Sequence, residues 1–346
     1  MPGSRPRAGF RRYDRTGRAT VAGAGMLTRP FGRTGWQVSA LTFGAWQLGG
    51  TWGALDEGEG QDALLAAIDG GINLIDTAAA YGKGRSEEIV GRALALRPGA
   101  KVRVATKVLP LGRQQGRIES IRGQYPPAYL RAEVEASLQR LGRDHIDLLQ
   151  LHLWLPDGLE ELEWLPALLD LQVQGKIGWI GVSLPDIRPE TGVTLARTQL
   201  VTAIQVMFNI FEQAPRARLF PEGRHTGTAF IARVPFDSGA LTGTWTAATR
   251  DGWAEDDKRR QMYSPARMAE TLARVDALRR DLADNCPDMA TAALQFCLAD
   301  PAVSTVACGM RSVAEVTANL AALAAPPMDA AVVSRLAAHH WPHDFY

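Results

Sequence analysis

The chain has 346 residues, of which 46% are hydrophobic and 22% are charged, and its formal net charge is +1. This length and composition are typical of one large soluble α/β barrel. The near-zero net charge argues against nucleic acid or a membrane surface as a partner, and no window holds the roughly 18 apolar residues of a membrane span.

The first 25 residues are rich in arginine. They contain six Arg and one Asp, which gives this segment a charge of +5 and leaves −4 for residues 26–346. The segment lacks the run of about 7–15 apolar residues that a secretory signal requires. We therefore interpret residues 1–25 as a disordered tail, with Met26 as a candidate natural start, and residues 26–346 as one barrel domain.

From residue 38 onward, strand-like and helix-like segments alternate eight times. The predicted strands are VSALTFG, INLID, VRVATKV, IDLLQLH, IGWIGVS, AIQVMFN, AFIARVP and VSTVACG. Alternation of this kind predicts a parallel sheet, and eight units favour a closed (β/α)8 TIM barrel over an open sheet. The preceding segment, RPFGRTGWQV, is predicted to form a β-hairpin that plugs the barrel floor.

Four polar residues stand at or just beyond the ends of three of these strands. Asp76 ends the second strand and Tyr81 follows it, Lys107 lies near the end of the third, and His152 ends the fourth. The carboxyl ends of all barrel strands open on one face, so these side chains are expected to meet there. Each residue alone has an ordinary explanation, such as a helix cap. Together they suit proton transfer to a carbonyl oxygen, because a lysine stabilises a phenolate and a neutral histidine donates a hydrogen bond.

Long connections follow the third, fourth and seventh strands, all on the same face. Trp46 and Trp52 follow the first strand, and Trp154 follows His152. Aromatic rings at this place can stack on a sugar or ring substrate, but they can equally pack the loops onto the barrel rim.

The cysteines and the histidines near the end of the chain lack the spacing of a metal site. The chain has three cysteines, an odd number. We therefore expect them to be reduced thiols and the protein to be cytoplasmic. Three histidines near the end of the chain are expected to be surface residues: His339, His340 and His343.

Several stretches carry a family resemblance in their order and spacing: FGRTGWQVSALTFGAWQLGG, GINLIDTAAAYGKGRSEEIVGRAL, ATKV, LQRLGRDHIDLLQLH, GKIGWIGVS, IQVMFN, PFDSGALTG and ACGMRSVAEVTAN. From about Leu27 to the last barrel helix, the chain resembles the aldo-keto reductases. The resemblance implies an NAD(P)(H)-dependent oxidoreductase that interconverts a carbonyl compound and its alcohol. It implies Tyr81 as general acid and base, Lys107 lowering its pKa, Asp76 paired with Lys107, and His152 orienting the carbonyl.

The resemblance also implies a dinucleotide extended across the barrel top. The implied cofactor-binding residues are Gly44, Trp46, Ser183, Gln205, Arg233, Pro235, Phe236, Leu241, Gly243, Gly309, Arg311, Ser312, Glu315 and Asn319. Two positions depart from the family pattern. Leu184 follows Ser183 where the family usually has Asn, and Arg233 stands where the family usually has a Tyr that stacks on the nicotinamide. A guanidinium plane can also stack on a ring, or it can turn to an acid of the long loop.

The adenosine end leaves the choice of cofactor open. Arg311 stands where a basic residue grips a 2′-phosphate, whereas Glu315 is expected to disfavour a phosphate. Ser312 and Glu315 also have the spacing of a helix capping box, in which the Glu carboxylate folds back onto the backbone. We favour NADP (NADPH) over NAD on this basis.

Substrate and biological role are only broadly indicated. The tryptophan-lined loops favour a small-molecule aldehyde, ketone or sugar as substrate, and the oligomeric state stays open. Two other functions fit the same sequence. One is a cofactor-binding regulatory subunit of the potassium-channel β type, with little turnover. The other is a barrel lyase or hydrolase without redox chemistry.

Overall fold

A computed structural model describes residues 26–50, 53, 55–112, 118–255, 257–282 and 286–344, and the backbone of two short strands before them. These strands, β1 (Arg12–Tyr13) and β2 (Ala19–Thr20), pair antiparallel. The rest of the Arg-rich segment, for which a disordered tail is predicted, lies outside the described residues. Trp52 also lies outside them.

The hairpin predicted at the barrel floor is present. Its strands, β3 (Thr28–Pro30) and β4 (Gln37–Ser39), pair antiparallel. Phe31 and Val38 project from it and are fully buried. They share an apolar cluster with residues from the strands of the barrel, including Leu74, Ala105, Leu148, Ala203 and Ala229. The hairpin therefore closes one end of the barrel, as the sequence predicts.

The predicted first strand, VSALTFG, divides in the structure. Its first residues belong to the hairpin, and the barrel strand begins at Leu41. At the junction, the Ala40 N–H donates to the Leu27 carbonyl, and the Ser39 N–H donates to the Asn73 side chain at 2.8 Å. These hydrogen bonds redirect the chain from the hairpin into the barrel, a change that an apolar pattern does not show.

Eight parallel strands close into a barrel in chain order, which confirms the predicted (β/α)8 architecture. They are β5 (Leu41–Gly44), β6 (Leu74–Asp76), β7 (Arg103–Val108), β8 (Ile146–Leu151), β9 (Ile177–Ser183), β10 (Ala203–Met207), β11 (Ala229–Arg233) and β12 (Val303–Gly309). The last strand pairs with the first through Val306 and Leu41, and this pairing closes the sheet.

The helices surround the barrel. They are α1 (Glu57–Asp69), α2 (Arg85–Ala95), α3 (Pro127–Leu141), α4 (Trp164–Val173), α5 (Val193–Thr198), α6 (Leu219–Thr226), α7 (Lys258–Met262), α8 (Pro265–Leu282), α9 (Met289–Ala299), α10 (Val313–Ala324) and α11 (Ala330–Arg335). Helix α8 lies in the long connection that follows the seventh strand. Helix α9 begins after Asp288, which caps its first turn by accepting from the Thr291 N–H.

The cysteines are free thiols. Cys297 and Cys308 are buried, and burial raises the pKa of Cys308 to about 12.

Within the described ranges, no group of three His, Cys, Asp or Glu side chains is placed to hold a metal ion. None of the described helices combines the length and the apolar character that crossing a membrane requires.

Candidate active site

The four polar residues singled out at the strand ends meet at the carboxyl face of the barrel. Asp76 is the last residue of β6, Lys107 is the fifth residue of β7, and His152 directly follows β8. Tyr81 lies in the turn between β6 and α2, where its N–H donates to the Ala78 carbonyl at 3.0 Å. Adjacent parallel strands thus bring side chains from distant parts of the sequence to one point.

Lys107 is the centre of this group, and its side chain is fully buried. Its Nζ donates to Asp76 Oδ2 at 2.7 Å, to the Thr77 carbonyl at 2.8 Å and to the Tyr81 hydroxyl at 3.0 Å. A lysine ammonium has three protons, so these contacts use all its donors. The ammonium is therefore held in one position, with one proton directed at the phenol oxygen.

The electrostatics of the pair follow from burial and charge. Burial lowers the pKa of Lys107, but Asp76 and then Tyr81 more than offset this, so the pKa lies above its ordinary value. Burial also raises the pKa of Tyr81 above its ordinary value, and Lys107 acts against this rise. The lysine thus keeps its proton and makes the buried phenol a stronger acid than burial alone would allow. The net direction for Tyr81 is nevertheless upward, which the sequence argument did not foresee.

Gln150 is a member of the group that sequence reasoning missed. It is fully buried in β8, and its Nε2 donates to Asp76 Oδ1 at 3.2 Å. Lys107 and Gln150 therefore engage one oxygen each of the same carboxylate. A signal was present in the sequence, because Gln150 is a polar residue in an apolar strand and lies two residues before His152, on the same face.

Aromatic rings enclose the Tyr81 phenol. The Trp46 ring meets it edge-on at a centroid distance of 4.9 Å, and the His152 ring does so at 5.8 Å. The Lys258 ammonium lies 5.6 Å from the centre of the Trp46 ring. Tyr81 keeps a small exposed surface of 8%, so its hydroxyl is shielded from bulk water but is still accessible. A phenol, an imidazole and an indole can thus contact one small reacting group.

Ser183 and Gln205 lie side by side on neighbouring strands. They are paired in the register of β9 and β10, and both are buried. Gln205 Nε2 and Trp46 Nε1 have no hydrogen-bond partner among the described residues. Buried polar atoms are rarely left unpaired in proteins. Two buried donors without partners fit a ring that carries a carboxamide, such as nicotinamide.

Arg233 ends β11 and is turned toward the loop after β9. Its guanidinium donates to the Leu184 carbonyl at 2.9 Å and to Asp186 Oδ1 at 2.5 Å. The sequence is also compatible with an acidic partner in the long loop after the seventh strand. The observed partner, Asp186, belongs instead to the loop after β9. Burial has the largest effect on the pKa of Tyr81, and the charge of Arg233 lowers that pKa more weakly than Lys107 does. The guanidinium is thus anchored near the reacting group.

The loop after β11 contains the positions expected to follow a pyrophosphate, Pro235, Phe236, Leu241 and Gly243. It takes an unusual backbone path, with φ values of 47° at Asp237, 58° at Ser238 and 114° at Gly239. Two backbone N–H groups, those of Gly239 and Leu241, both donate to the Phe236 carbonyl at 2.9 Å. The result is a tight, internally bonded loop at the barrel mouth.

The residues expected at the adenosine end of a dinucleotide follow β12. Ser312 caps α10 by accepting from the Glu315 N–H at 3.2 Å, and Glu315 Oε2 accepts from the Arg311 N–H at 2.6 Å. The first half of the predicted capping box is therefore present, while the Glu carboxylate folds back onto the N–H of the residue before the cap and not onto that of Ser312. Asn319 is buried on the same helix and contacts the sulfur of Cys308 at 3.8 Å.

Two glycines at the barrel mouth permit close approach between strand ends. A Cβ at Gly44 would lie 3.0 Å from the Cys308 carbonyl oxygen, and a Cβ at Gly309 would collide with the amide of Gln47. Glycine is therefore favoured at Gly44, where the neighbouring backbone is fixed, whereas a side chain at Gly309 would require the flexible Gln47 amide to move.

Trp154 does not line an open surface. It is fully buried and packs edge-on against Trp164 at a centroid distance of 5.6 Å. The expectation that it contacts the substrate is therefore corrected, because it packs the loop after β8 onto the barrel rim. Among the described residues, Trp46 is the tryptophan that packs against Tyr81. Trp52 lies outside them.

One of the three histidines near the end of the chain is not a surface residue. His343 is buried, and its Nε2 lies 3.2 Å from Asp237 Oδ1 in the loop after β11. His339 instead lies 2.8 Å from Asp281 at the surface, and His340 is exposed. The expectation for His343 was wrong because its partner is far away in sequence.

Comparisons with known proteins agree with this geometry. A model of the Aldo/keto reductase family matches residues 40–340. The chain is 35% identical over 241 residues to the NADH-specific methylglyoxal reductase of Escherichia coli, covering 66% of this chain and 73% of that protein. It is 28% identical to the holo form of aldo-keto reductase AKR11C1 from Bacillus halodurans, with a TM-score of 0.74 and coverage of 91% and 98%. It is 30% identical to the glycerol dehydrogenase AKR11B4 from Gluconobacter oxydans, with a TM-score of 0.73 and coverage of 92% and 97%.

Proposed function

Because the chain belongs to the aldo/keto reductase family, a family of carbonyl-directed oxidoreductases, we propose that it interconverts a small-molecule carbonyl compound and its alcohol with Tyr81 as general acid and base. One observation carries the proposal. A buried Lys107 donates at once to Asp76 and to the Tyr81 hydroxyl, within 3.0 Å of each. That arrangement serves a phenol that must give up and recover a proton.

Each side chain has a distinct task in the proposed reaction. In reduction, Tyr81 gives its proton to the carbonyl oxygen, and in oxidation the phenolate takes a proton from the alcohol. Lys107 stabilises the phenolate, and Asp76 keeps Lys107 charged. His152, whose ring meets that of Tyr81, orients the carbonyl. When bound, a nicotinamide cofactor supplies or accepts the hydride.

The cofactor is expected to occupy the residues assigned to it above. The buried Gln205 Nε2 and the neighbouring Ser183 suit the nicotinamide amide, and the loop from Pro235 to Leu241 suits the pyrophosphate. We propose NADP as the preferred dinucleotide. The support is that Glu315, the acid that would oppose a 2′-phosphate, is already engaged with the Arg311 N–H. The NADH-specific relative is the counterexample that makes a direct test necessary.

We propose a small polyhydroxylated carbonyl compound or sugar as substrate. Trp46 supplies an aromatic face beside the Tyr81 hydroxyl, and apolar faces of sugars stack on such rings. A relative named as a glycerol dehydrogenase acts on a polyol, which agrees with this class. A regulatory subunit without turnover is not favoured, since the two reported relatives with named activities are enzymes.

The deciding experiment is a fluorescence titration of the protein with NADPH and with NADH, followed by turnover assays on aldehydes, ketones and sugars. The proposal requires saturable binding of one dinucleotide and its oxidation in the presence of a carbonyl compound. Retained cofactor without turnover on any of these substrates would instead favour the regulatory subunit. Absence of dinucleotide binding would contradict a redox role altogether.

Replacing Arg311 by alanine is expected to weaken NADPH binding about tenfold or more and to leave NADH nearly unchanged. A charge-assisted contact between a guanidinium and a phosphate contributes about 1.5–3 kcal/mol, and about 1.4 kcal/mol corresponds to a factor of ten. Glu315→Gln is expected to tighten NADPH, because it removes a negative charge and its amide oxygen can still accept from the Arg311 N–H. Dissociation constants from the titration measure both effects.

A matched control is Arg97→Ala, which removes a surface arginine paired with Asp69 and distant from the cofactor residues. It should leave both dissociation constants unchanged. If Arg311→Ala weakens NADPH and NADH equally, then Arg311 contacts a part common to both cofactors. The preference for NADP would then be wrong.

A further inference from the structure

A short segment near the end of the chain packs against the loop assigned to the pyrophosphate. Its Trp341 N–H donates to the Phe211 carbonyl at 2.7 Å, and the Arg274 guanidinium lies 4.2 Å from the centre of the Trp341 ring. The His343 ring stacks on Trp341 at a centroid distance of 4.1 Å and an interplanar angle of 19°. The segment is thus fixed by several independent contacts, and it places one imidazole against the loop.

The imidazole has acceptors on both sides. His343 Nδ1 lies 2.8 Å from the Trp341 carbonyl oxygen, and Nε2 lies 3.2 Å from the Asp237 carboxylate. A carbonyl oxygen and a carboxylate both accept protons and neither donates one. A ring that donates to the carbonyl and also faces the carboxylate without repulsion carries a proton on each nitrogen, which is the charged form of histidine.

Asp237 needs such a neighbour. Its side chain has no exposed surface, and neither carboxylate oxygen accepts a hydrogen bond within the described residues, so its close charged contact there is the ion pair with His343. A buried carboxylate without a compensating charge is costly. Asp237 also has a φ of 47°, which is unfavourable for a residue other than glycine, and its carbonyl accepts from the Tyr263 hydroxyl at 3.0 Å. Contacts outside the loop therefore hold this backbone turn in place.

Other charged and titratable groups face the same pocket. Glu212, in the loop after β10, is buried beside His340 and His343, and burial raises its pKa. On the α8 side, the Arg267 charge opposes protonation of His343. Burial, followed by Asp237, raises the pKa of Tyr263. The cluster thus contains two acids, Asp237 and Glu212, that favour a charged imidazole and one arginine that disfavours it.

We propose that protonated His343 is a positioning residue, which pairs with Asp237 and holds the loop from Val234 to Gly243 in the conformation that receives the dinucleotide pyrophosphate. This inference rests on the proposed function, since the loop's role belongs to it. The pair links cofactor affinity to the protonation of one histidine that touches neither substrate nor cofactor.

The sign of the pH dependence follows from the pair. Burial lowers the pKa of His343, but Asp237 more than offsets this, so the pKa lies above its ordinary value. The contribution of the His343–Asp237 pair to holding the loop is complete below the ordinary pKa of histidine. It is lost as the pH rises through the raised pKa of His343. Dinucleotide affinity is therefore expected to fall across the pH range that begins at the ordinary pKa of histidine and extends above it.

The experiment measures the dissociation constant of NADH across this range in His343→Gln and His343→Arg. NADH is the better probe because it lacks the phosphate monoester, which itself titrates near pH ~6. His343→Gln should weaken binding about fivefold at low pH, as expected for one lost charge pair, and should flatten the pH profile. His343→Arg keeps a permanent charge, so it should retain the wild-type affinity with an equally flat profile.

A second measurement follows the loop without any cofactor. Amide hydrogen exchange in residues 236–243 should be faster in His343→Gln than in the wild type, and slow again in His343→Arg. The matched control is His339→Gln, which removes the neighbouring histidine that pairs with the surface residue Asp281. This control should change neither the affinity nor the exchange of the loop.

The outcomes separate the two proposals. Unchanged affinity, pH profile and loop exchange in His343→Gln would overturn the role of His343 and leave the proposed function intact. If the wild type binds no dinucleotide, the proposed function fails, while loop exchange still tests the charge pair. If His343→Gln is unstable, His343→Arg decides: a pH profile as steep as that of the wild type would contradict the inference.

Discussion

Tyr81→Phe is expected to lower turnover about 10²–10⁴-fold, the range typical of general acid–base catalysis, while dinucleotide binding stays close to the wild-type value. The substitution removes one oxygen and one proton and keeps the ring that packs against Trp46 and His152. It also frees one of the three donors of Lys107, but the bonds to Asp76 and the Thr77 carbonyl remain. The fold and the cofactor surface should therefore persist, and only the proton transfer should be lost.

Steady-state turnover and a fluorescence titration on the same preparation measure both quantities. The matched control is Tyr129→Phe, which removes a hydroxyl on α3 that donates to the Leu109 carbonyl at 2.9 Å and takes no part in the hydrogen bonds of Lys107. It should keep wild-type turnover. Equal turnover in Tyr81→Phe and in the wild type would refute the role of Tyr81, whatever the control shows.

The convergence of these side chains could be predicted because it depends on topology. Asp76, Lys107 and His152 each stand at the end of an apolar run, and parallel strands in a barrel must all end on one face. The same reasoning extends to Gln150, which shares a face with His152 by the period of two in a strand. What the sequence could not give is which oxygen of Asp76 each neighbour engages.

Other features depend on contacts between distant segments, which no local pattern records. Arg233 pairs with Asp186, 47 residues earlier, and His343 reaches Asp237 from near the end of the chain. Trp154 follows a strand end just as His152 does, yet it is fully buried against Trp164. Whether a ring at a barrel rim faces the mouth or the loops is decided by packing volume, which composition does not reveal.

Lys107→Met is expected to shift the ascending limb of the pH–rate profile for alcohol oxidation to higher pH by about 1–3 units, the range for loss of one adjacent opposite charge. Oxidation requires the phenolate, so the rate rises with pH through the pKa of Tyr81. Burial raises that pKa, Lys107 lowers it and Asp76 raises it. Without the lysine, burial and Asp76 raise the pKa of the phenol against only the weaker effect of Arg233, so turnover at neutral pH should fall about 10–10³-fold, as the same shift requires.

The control for the lost charge is Lys176→Met, which removes a partly exposed lysine paired with Glu135 between α3 and β9. Its profile should coincide with that of the wild type. Lys107→Met also leaves Asp76 buried without its partner, which costs about 3–5 kcal/mol of stability, so its thermal melting must be followed alongside the rates.

The double variant Lys107→Met/Asp76→Asn separates the electrostatic effect from a loss of structure. It removes the unpaired carboxylate, so part of the lost stability should return. It also removes the charge of Asp76 that raises the pKa of Tyr81, so the ascending limb of the pH–rate profile should return part of the way toward lower pH. If the limb stays at the wild-type position in a folded Lys107→Met protein, then Lys107 does not tune Tyr81, and the buried ion pair serves only to hold β6 and β7 together.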